Sequence, residues 1–307
     1  MSELLGNIAL TFSAGTPLAI AGLGLLINER AGVLNLGAQG ILLIGAVTGF
    51  AVAFHTGSPG TALLAGIAVG AGVAAAFGWL VIWLNTNQYA TGLAVSLFGS
   101  GFSAFVGIDY VGKKIVEAQI VGIPGLRDVP VLGQAFFRQH WMVYVTVLLV
   151  ALTAWFFYRT RAGLVLRAVG ESPVSAHALG YPVRLIRLGA VVTGGALCGL
   201  AGAYISTVYT PLWSEGMVGG RGWIALSLTV FSTWRPARVL LGAYLFGGVT
   251  MLQFALQQTP GVEIPNQFLA MLPYLSTIVV LVLISRNPLW IRLNMPASLG
   301  KAFFPGG

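Results

Sequence analysis

Apolar runs of 18 residues or more recur along the whole chain. They leave few folds open, because a helix needs about 20 residues to cross a hydrocarbon layer about 30 Å thick and must satisfy its own backbone there. Eight runs qualify, at 5–27, 33–54, 61–84, 89–108, 141–158, 188–208, 239–257 and 267–284. A ninth stretch, 216–234, has an apolar core only from 223 to 234. At about 1.5 Å per residue that core covers about 18 Å, so it is expected to be a half-helix after a glycine-rich extended segment. With 57% hydrophobic and 8% charged residues and a mean hydropathy of +0.87, a soluble domain is excluded. The expectation is an all-α polytopic membrane bundle, a single domain over 1–307, with about eight full spans plus the broken segment.

The net charge of +8 has no polar domain on which to form a nucleic-acid surface, so it reads as a topology signal. If 216–234 crosses, eleven of the 16 basic residues fall on one side, leaving Lys113, Lys114, Arg127, Arg138 and Arg221 on the other. If it dips in and returns, the split becomes 6 against 10. Crossing is therefore expected, with the N-terminus outside and the C-terminus inside. Trp141, Trp155, Trp234 and Trp290 stand near span ends, where indoles anchor at interfaces. The first run lacks a basic leader and a small-residue cleavage site and reads as a retained span.

Between the first two spans lies 28–40, NERAGVLNLGAQG, a polar and glycine-rich break. Glu29 and Arg30 are expected at the membrane surface. Asn35 and Gln39 lie inside an apolar run and need internal partners at hydrocarbon depth, either as satisfied packing amides or as the lining of a path. Gly45 and Gly49, Gly66 and Gly70, and Gly195 and Gly199 have the spacing that lets membrane helices approach closely.

No Asp or Glu falls within the eight runs, which argues against a proton-coupled carrier and against many sodium-coupled ones, leaving only sodium held by carbonyls and hydroxyls. The single Cys198 and the scattered His55, His140 and His177 offer no metal set, and no nucleophile elbow is present. Residues 107–114, GIDYVGKK, have the spacing of a phosphate loop but end in Lys where a Mg²⁺-binding hydroxyl belongs. Chemistry by this chain is not expected, and no bound cofactor or metal is. Energy for uphill movement would come from an ATPase on another chain.

Two connections exceed hairpin length. The external loop, 109–140, reads either as a dock for an outside partner or as a connector with short interfacial helices. The internal loop, 159–187, contains a helix signature with Ser172 at the N-cap, Pro173 at the first helical position and Gly180 as the stop. The resulting helix, 173–179, is too short to persist alone in water and must pack on another surface. Either a soluble partner or the chain's own bundle supplies that surface.

Residues 29–40 followed by ILLIGA at 41–46 resemble the signature of bacterial ABC importer permeases of the ribose, branched-chain amino acid and nucleoside class. The run 167–180, RAVGESPVSAHALG, is similar to that family's cytoplasmic coupling segment. GGRGWIAL at 219–226, with Pro236 and LGAYLFG at 241–247, resembles the nucleoside and simple-sugar branch. The likeness runs from about 19 to 288. Gln39, where relatives usually carry Glu, and Ser96, where many carry Asn, depart from it.

The resemblance implies the transmembrane subunit of an importer in the cytoplasmic membrane. Its partners would be a second permease, a non-identical one favoured over another copy of this chain, an ATPase that binds ATP and Mg²⁺ and is often a fused tandem, and an external solute-binding protein. It also implies a nucleoside, purine-type favoured, or a simple sugar as solute. The pathway is expected at Asn35, Gln39, Gln88, Ser96, Gln253 and the turn of Gly219, Gly220 and Gly222. ATPase coupling is expected at Arg167, Gly170, Glu171, Ser172, Pro173, Ala176, Leu179 and Gly180. An ion-coupled secondary transporter of a small polar solute is the alternative.

Overall fold

A computed structural model describes residues 2–116, 121–122, 138–258, 265–285 and 294–304. Apart from one two-residue antiparallel pairing, Val121–Gly122 (β1) with Arg138–Gln139 (β2), the described regular structure is helical. The helices in chain order are α1 (Ser2–Arg30), α2 (Ala38–Thr56), α3 (Pro59–Ile82), α4 (Gln88–Gly107), α5 (Trp141–Arg159) and α6 (Arg161–Glu171). They continue with α7 (Pro173–Ala178), α8 (Val183–Tyr204), α9 (Arg221–Phe231), α10 (Pro236–Gln258), α11 (Asn266–Ala270) and α12 (Leu272–Ser285).

Seven of the described helices are long and apolar enough to cross a membrane: α1 to α5, α8 with its π-helical extension to Tyr209, and α10. The eighth expected span differs. Over 267–284 the chain forms α11, a break at Met271 and the 14-residue α12. The second span also begins later than expected, at Ala38 rather than 33. Gly32, at φ +86°, closes the end of α1 in the left-handed conformation, its N–H donating to Glu29 O at 2.9 Å and that of Val33 to Asn28 O at 3.0 Å. Most of the external loop's central part, including Glu117, Pro124, Asp128 and Pro130, lies outside the described residues, as does Trp290.

The three glycine pairs meet one another. Gly66 and Gly70 of α3 lie against the backbone of Gly195 and Gly199 of α8, and Gly45 and Gly49 of α2 face Gly199 and Ala203 on the same helix. A Cβ at any of these contacts would overlap its neighbour, so the α2, α3 and α8 axes approach as closely as glycine allows. This seam forms the main core with Phe50, Phe77 and Tyr204, while α1 packs on α8 and α10.

Gly107 at the end of α4 and Phe50 in α2 lie against Trp213, whereas Trp234 is bonded to the last residues of α1. The chain from Trp213 to Trp234 therefore passes from one end of the bundle to the other. Its first part is a series of turns with Gly216, Gly219 and Gly220 at φ +67°, +55° and +71°, in place of the extended segment expected, and α9 supplies the rest.

The last described segment, 294–304, folds back onto the end of the bundle carrying the C-terminus of α1. Ser298 N–H donates to Gly170 O at 3.1 Å, Gly300 N–H donates to Gly32 O at 3.2 Å, and Phe303 is buried with Val169, Ala176 and Val183.

Candidate functional site

The irregular backbone after Gly32 climbs along the first turns of α4. Leu34 N–H donates to Gln88 Oε1 at 2.8 Å, and two turns further along the same helix Ser96 Oγ–H donates to Leu36 O at 2.7 Å. Two turns are about 11 Å, so the break enters the bundle and does not stay at its surface. Gly37 N–H donates to Asn35 Oδ1 at 2.9 Å. Gly37 and Gly40 lie against Val95, and Gly99 lies against Gly40, which keeps this backbone pressed on α4. Irregular backbone at such depth persists only where protein satisfies it or where it lines a cavity.

The break touches the second one. Gln39, in the first turn of α2, accepts at Oε1 from Gly222 N–H, 2.8 Å away, in the first turn of α9. A Cβ on Gly222 would stand 2.5 Å from Gln39 Cα. Tyr274 of α12 donates its hydroxyl to Gly219 O at 3.0 Å and covers Gly220. Gln39, Gly219, Gly220 and Gly222 thus form one junction, while Gln88, Ser96 and Asn35 hold the backbone leading to it. Gln253 stands half-buried on α10 and makes no hydrogen bond to this group. Asn35 is fully buried, and its Nδ2 has no partner among the described residues.

Two residues expected at span ends are buried among protein groups. Glu29 is 1% exposed: Trp234 Nε1–H donates to its Oε2 at 2.6 Å, and Thr229 Oγ1 is 2.9 and 3.0 Å from its two carboxyl oxygens. Trp234, expected as an interfacial anchor, is likewise 1% exposed. Its carbonyl accepts from Arg30 Nε at 3.1 Å and Nη2 at 2.8 Å. Adjacent residues of α1 thus grip the indole and the backbone of Trp234, while Thr233 and Trp234 adopt φ +48° and +53°. Left-handed backbone at two consecutive side-chain-bearing residues is strained and needs such over-determination. An acid at the end of an apolar run looks like a surface group by position alone, which is why Glu29 read as one.

In the internal loop α7 spans Pro173–Ala178, with Ser172 Oγ accepting from Ser175 N–H at 3.3 Å and Gly180 at φ +86°. Leu179 is the C-cap residue. Ala176 is buried, whereas Val174 and Leu179 are 59% and 78% exposed. Gly170 lies against the carbonyl of Arg30 and accepts from Ser298, which joins α6 to the end of α1. Arg167 stacks over Tyr158 at 5.5 Å and Glu171 is exposed. Sequence reading missed Arg187. It is 3% exposed and donates to Ala31 O at 3.1 Å, Lys301 O at 3.2 Å and Ser298 Oγ at 2.9 Å. One side chain thereby ties α8 to the break and to the C-terminal segment.

The 107–114 stretch follows a helix rather than a strand, and Lys113 Nζ lies over the rings of Phe54 and Tyr110. An apolar groove of about 570 Å³ between α1, α5, α6 and α8 contains none of the expected pathway residues.

Apolar crossings around interrupted segments, with a short amphipathic helix carried at one end, define a multi-pass membrane permease. The chain belongs to the family of permease components of branched-chain amino acid transport systems, whose profile matches residues 7–284. It is 39% identical to TsgC13 of Haloferax volcanii, provisionally named a glucose ABC transporter permease, over 99% of this chain and 98% of that one. It is 32% identical to the nucleoside ABC transporter permease NupC of Lactococcus lactis, over 87% of this chain and 88% of the relative. Identity to the guanosine ABC transporter permease NupQ of Bacillus subtilis is also 32%, over 88% and 89% of the two chains. The protein is thus a permease subunit of an ABC transporter, a class that works with an ATPase and a solute-binding protein.

Proposed function

We propose that this chain forms half of the translocation path of an ABC importer in the cytoplasmic membrane, carrying a nucleoside, purine-type favoured, or a simple sugar. The observation that supports it best is the junction of Gln39 with Gly222. Two interrupted segments meet there inside the bundle, offering a helix N-terminus, an amide and turn carbonyls to a polar solute without a fixed charge. Gln88, Ser96 and Asn35 position that junction, and Gln253 contributes from α10. A second, non-identical permease supplies the opposite wall, and the external binding protein supplies affinity. The chain itself holds no cofactor; ATP and Mg²⁺ belong to the ATPase, whose two nucleotide-binding domains are fused in one protein.

Coupling passes through α7. Its exposed Val174 and Leu179 form an apolar surface beside Glu171 that a soluble partner covers. In proteoliposomes containing the whole transporter, Val174→Asp with Leu179→Asp should abolish stimulation of ATP hydrolysis by loaded binding protein while the permease still inserts. Unchanged stimulation would refute the coupling assignment. Solute uptake by this chain in vesicles with an ion gradient and no ATPase would instead establish the secondary-transport reading.

A further inference from the structure

Three arginines from separate parts of the chain line one cavity of about 560 Å³ at the end of the bundle that carries α6 and α7. They are Arg30 at the end of α1, Arg167 in α6 and Arg235 just before α10, with Tyr158, Pro236 and Asn294 among the other walls. A smaller cavity of about 270 Å³ shares Arg30 and Arg167 and brings in Glu171, the one carboxyl among the described residues that line either space.

The positive charge here is only partly balanced internally, by Glu171 acting on Arg30. Among the described residues, none of the three guanidinium groups forms an ion pair with a carboxylate. Arg30 uses three N–H groups on the carbonyls of Trp234 and Asn294. A guanidinium has five donors, so two are left. Arg167 stacks on Tyr158, and its Nε is buried without a hydrogen-bond partner. The α10 N-terminus lies in the wall at Pro236 and Ala237 and adds its own partial positive charge. Gathering unpaired cations in a partly desolvated wall is unfavourable unless an anion joins them.

The surroundings indicate where that anion comes from. Trp155 and Tyr158 near the end of α5 are 59% and 50% exposed, and Leu241 in the second turn of α10 is 68% exposed. An aromatic pair and an outward-facing leucine on the two flanking helices are what a site level with a membrane interface presents. We propose that this cavity binds the phosphate headgroup of an anionic phospholipid, with Arg167 and Arg235 as its principal ligands and Arg30 as a shared donor. The acyl chains would lie along the outer faces of α5 and α10.

The test is lipid retention by the purified, assembled transporter, followed by native mass spectrometry during titration with phosphatidylglycerol, phosphatidylcholine or inorganic phosphate. Phosphatidylglycerol should bind in preference to phosphatidylcholine, and millimolar phosphate should not displace it. Arg167→Gln with Arg235→Gln should weaken binding about 25-fold, at about fivefold for each arginine near an anionic lipid. The double lysine variant should retain most of it. Glu171→Gln should strengthen binding. Arg159→Gln with Arg161→Gln, which removes equal charge from positions on the same end that do not line the cavity, should weaken binding clearly less. Equal losses in both glutamine pairs would overturn the site as mere surface charge. Equal binding of phosphatidylcholine would refute anion recognition, and displacement by phosphate would refute the lipid as occupant.

Discussion

A single carboxyl illustrates how far position misleads at the residue scale. Glu29 follows an apolar run and precedes Arg30, a pattern typical of a helix leaving the membrane, yet both its oxygens are engaged inside the protein. Nothing in the local sequence announces partners 200 and 205 residues away, because that pairing depends on where the half-helix returns to the bundle. Trp234→Phe removes one donor to the carboxyl and should cost about 2 kcal/mol, as expected for a buried hydrogen bond to an ionisable group. Glu29→Ala removes the acceptor for both donors and should cost more, and the double variant should fall short of the sum of the two. Apparent melting temperatures of the purified protein give this cycle directly. His140 supports a prediction of a different kind. Its Nδ1 accepts from Met142 N–H at 3.2 Å as the N-cap of α5, and burial pushes its pKa down to about 4. The folded protein therefore resists a proton that the unfolded chain accepts below about pH 6.5, so this residue's contribution is complete above that pH and is lost as pH falls towards 4. His140→Asn keeps a cap acceptor that does not titrate. It should flatten the fall in melting temperature between pH 7 and pH 4.5 relative to the parent protein.

At the scale of elements, the legible features were those written in local chemistry. Ser172, Pro173 and Gly180 specify α7 within one residue of its observed end, since cap, first-turn proline and left-handed stop each act within a few residues. The apolar core at 223–234 likewise foretold α9. The glycine pairs marked close contacts without saying which helices met, because three pairs of equal spacing are interchangeable until the bundle is assembled. Illegible altogether was the return of 294–304 to the start of the break, since it is held by Arg187, whose donors find carbonyl and hydroxyl acceptors far away in sequence. Two predictions belong here. Gly199→Leu places a side chain between α3, α2 and α8 where even a Cβ overlaps Gly66 and Gly70. Overpacking of this kind costs roughly 1–3 kcal/mol or more, so the variant should fail to accumulate in membranes, whereas Gly72→Leu, with open space beside it, should accumulate normally. Gly222→Val should leave membrane insertion intact and abolish uptake, because its side chain must displace Gln39 from the junction. Full uptake by that variant would remove the junction from the path.

For the whole molecule, what matters is how the ends of the interrupted segments are distributed between the two faces. The C-termini of α1 and α5, the N-termini of α8 and α10, and α6 and α7 share one end through Arg30, Gly170, Arg187 and Trp234. Trp213, Gly107 and Phe50 gather at the other. By the rule that basic residues stay inside during membrane insertion, an arginine-rich end of this kind should face the cytoplasm. The irregular backbone of the proposed path would then enter from opposite sides, 33–37 from the cytoplasmic end and 214–220 from the external end, with Gln39 and Gly222 in contact between them. In the proposed mechanism, motion of α7 would reach the start of the break through Gly170, Ser298 and Arg187, which are joined by hydrogen bonds to Ala31. The arrangement also fixes a topology that can be measured. Gly220 is a poor labelling position because Tyr274 covers it, but Ser214 is exposed, as is Ala237 at the start of α10, and the native Cys198 is buried. With a membrane-impermeant maleimide, Ser214→Cys should label in intact cells and Ala237→Cys only in inverted vesicles. Labelling of both from the same side would mean that the chain between them does not cross. The two interrupted segments would then enter from one face, and a path through their meeting point would have no exit.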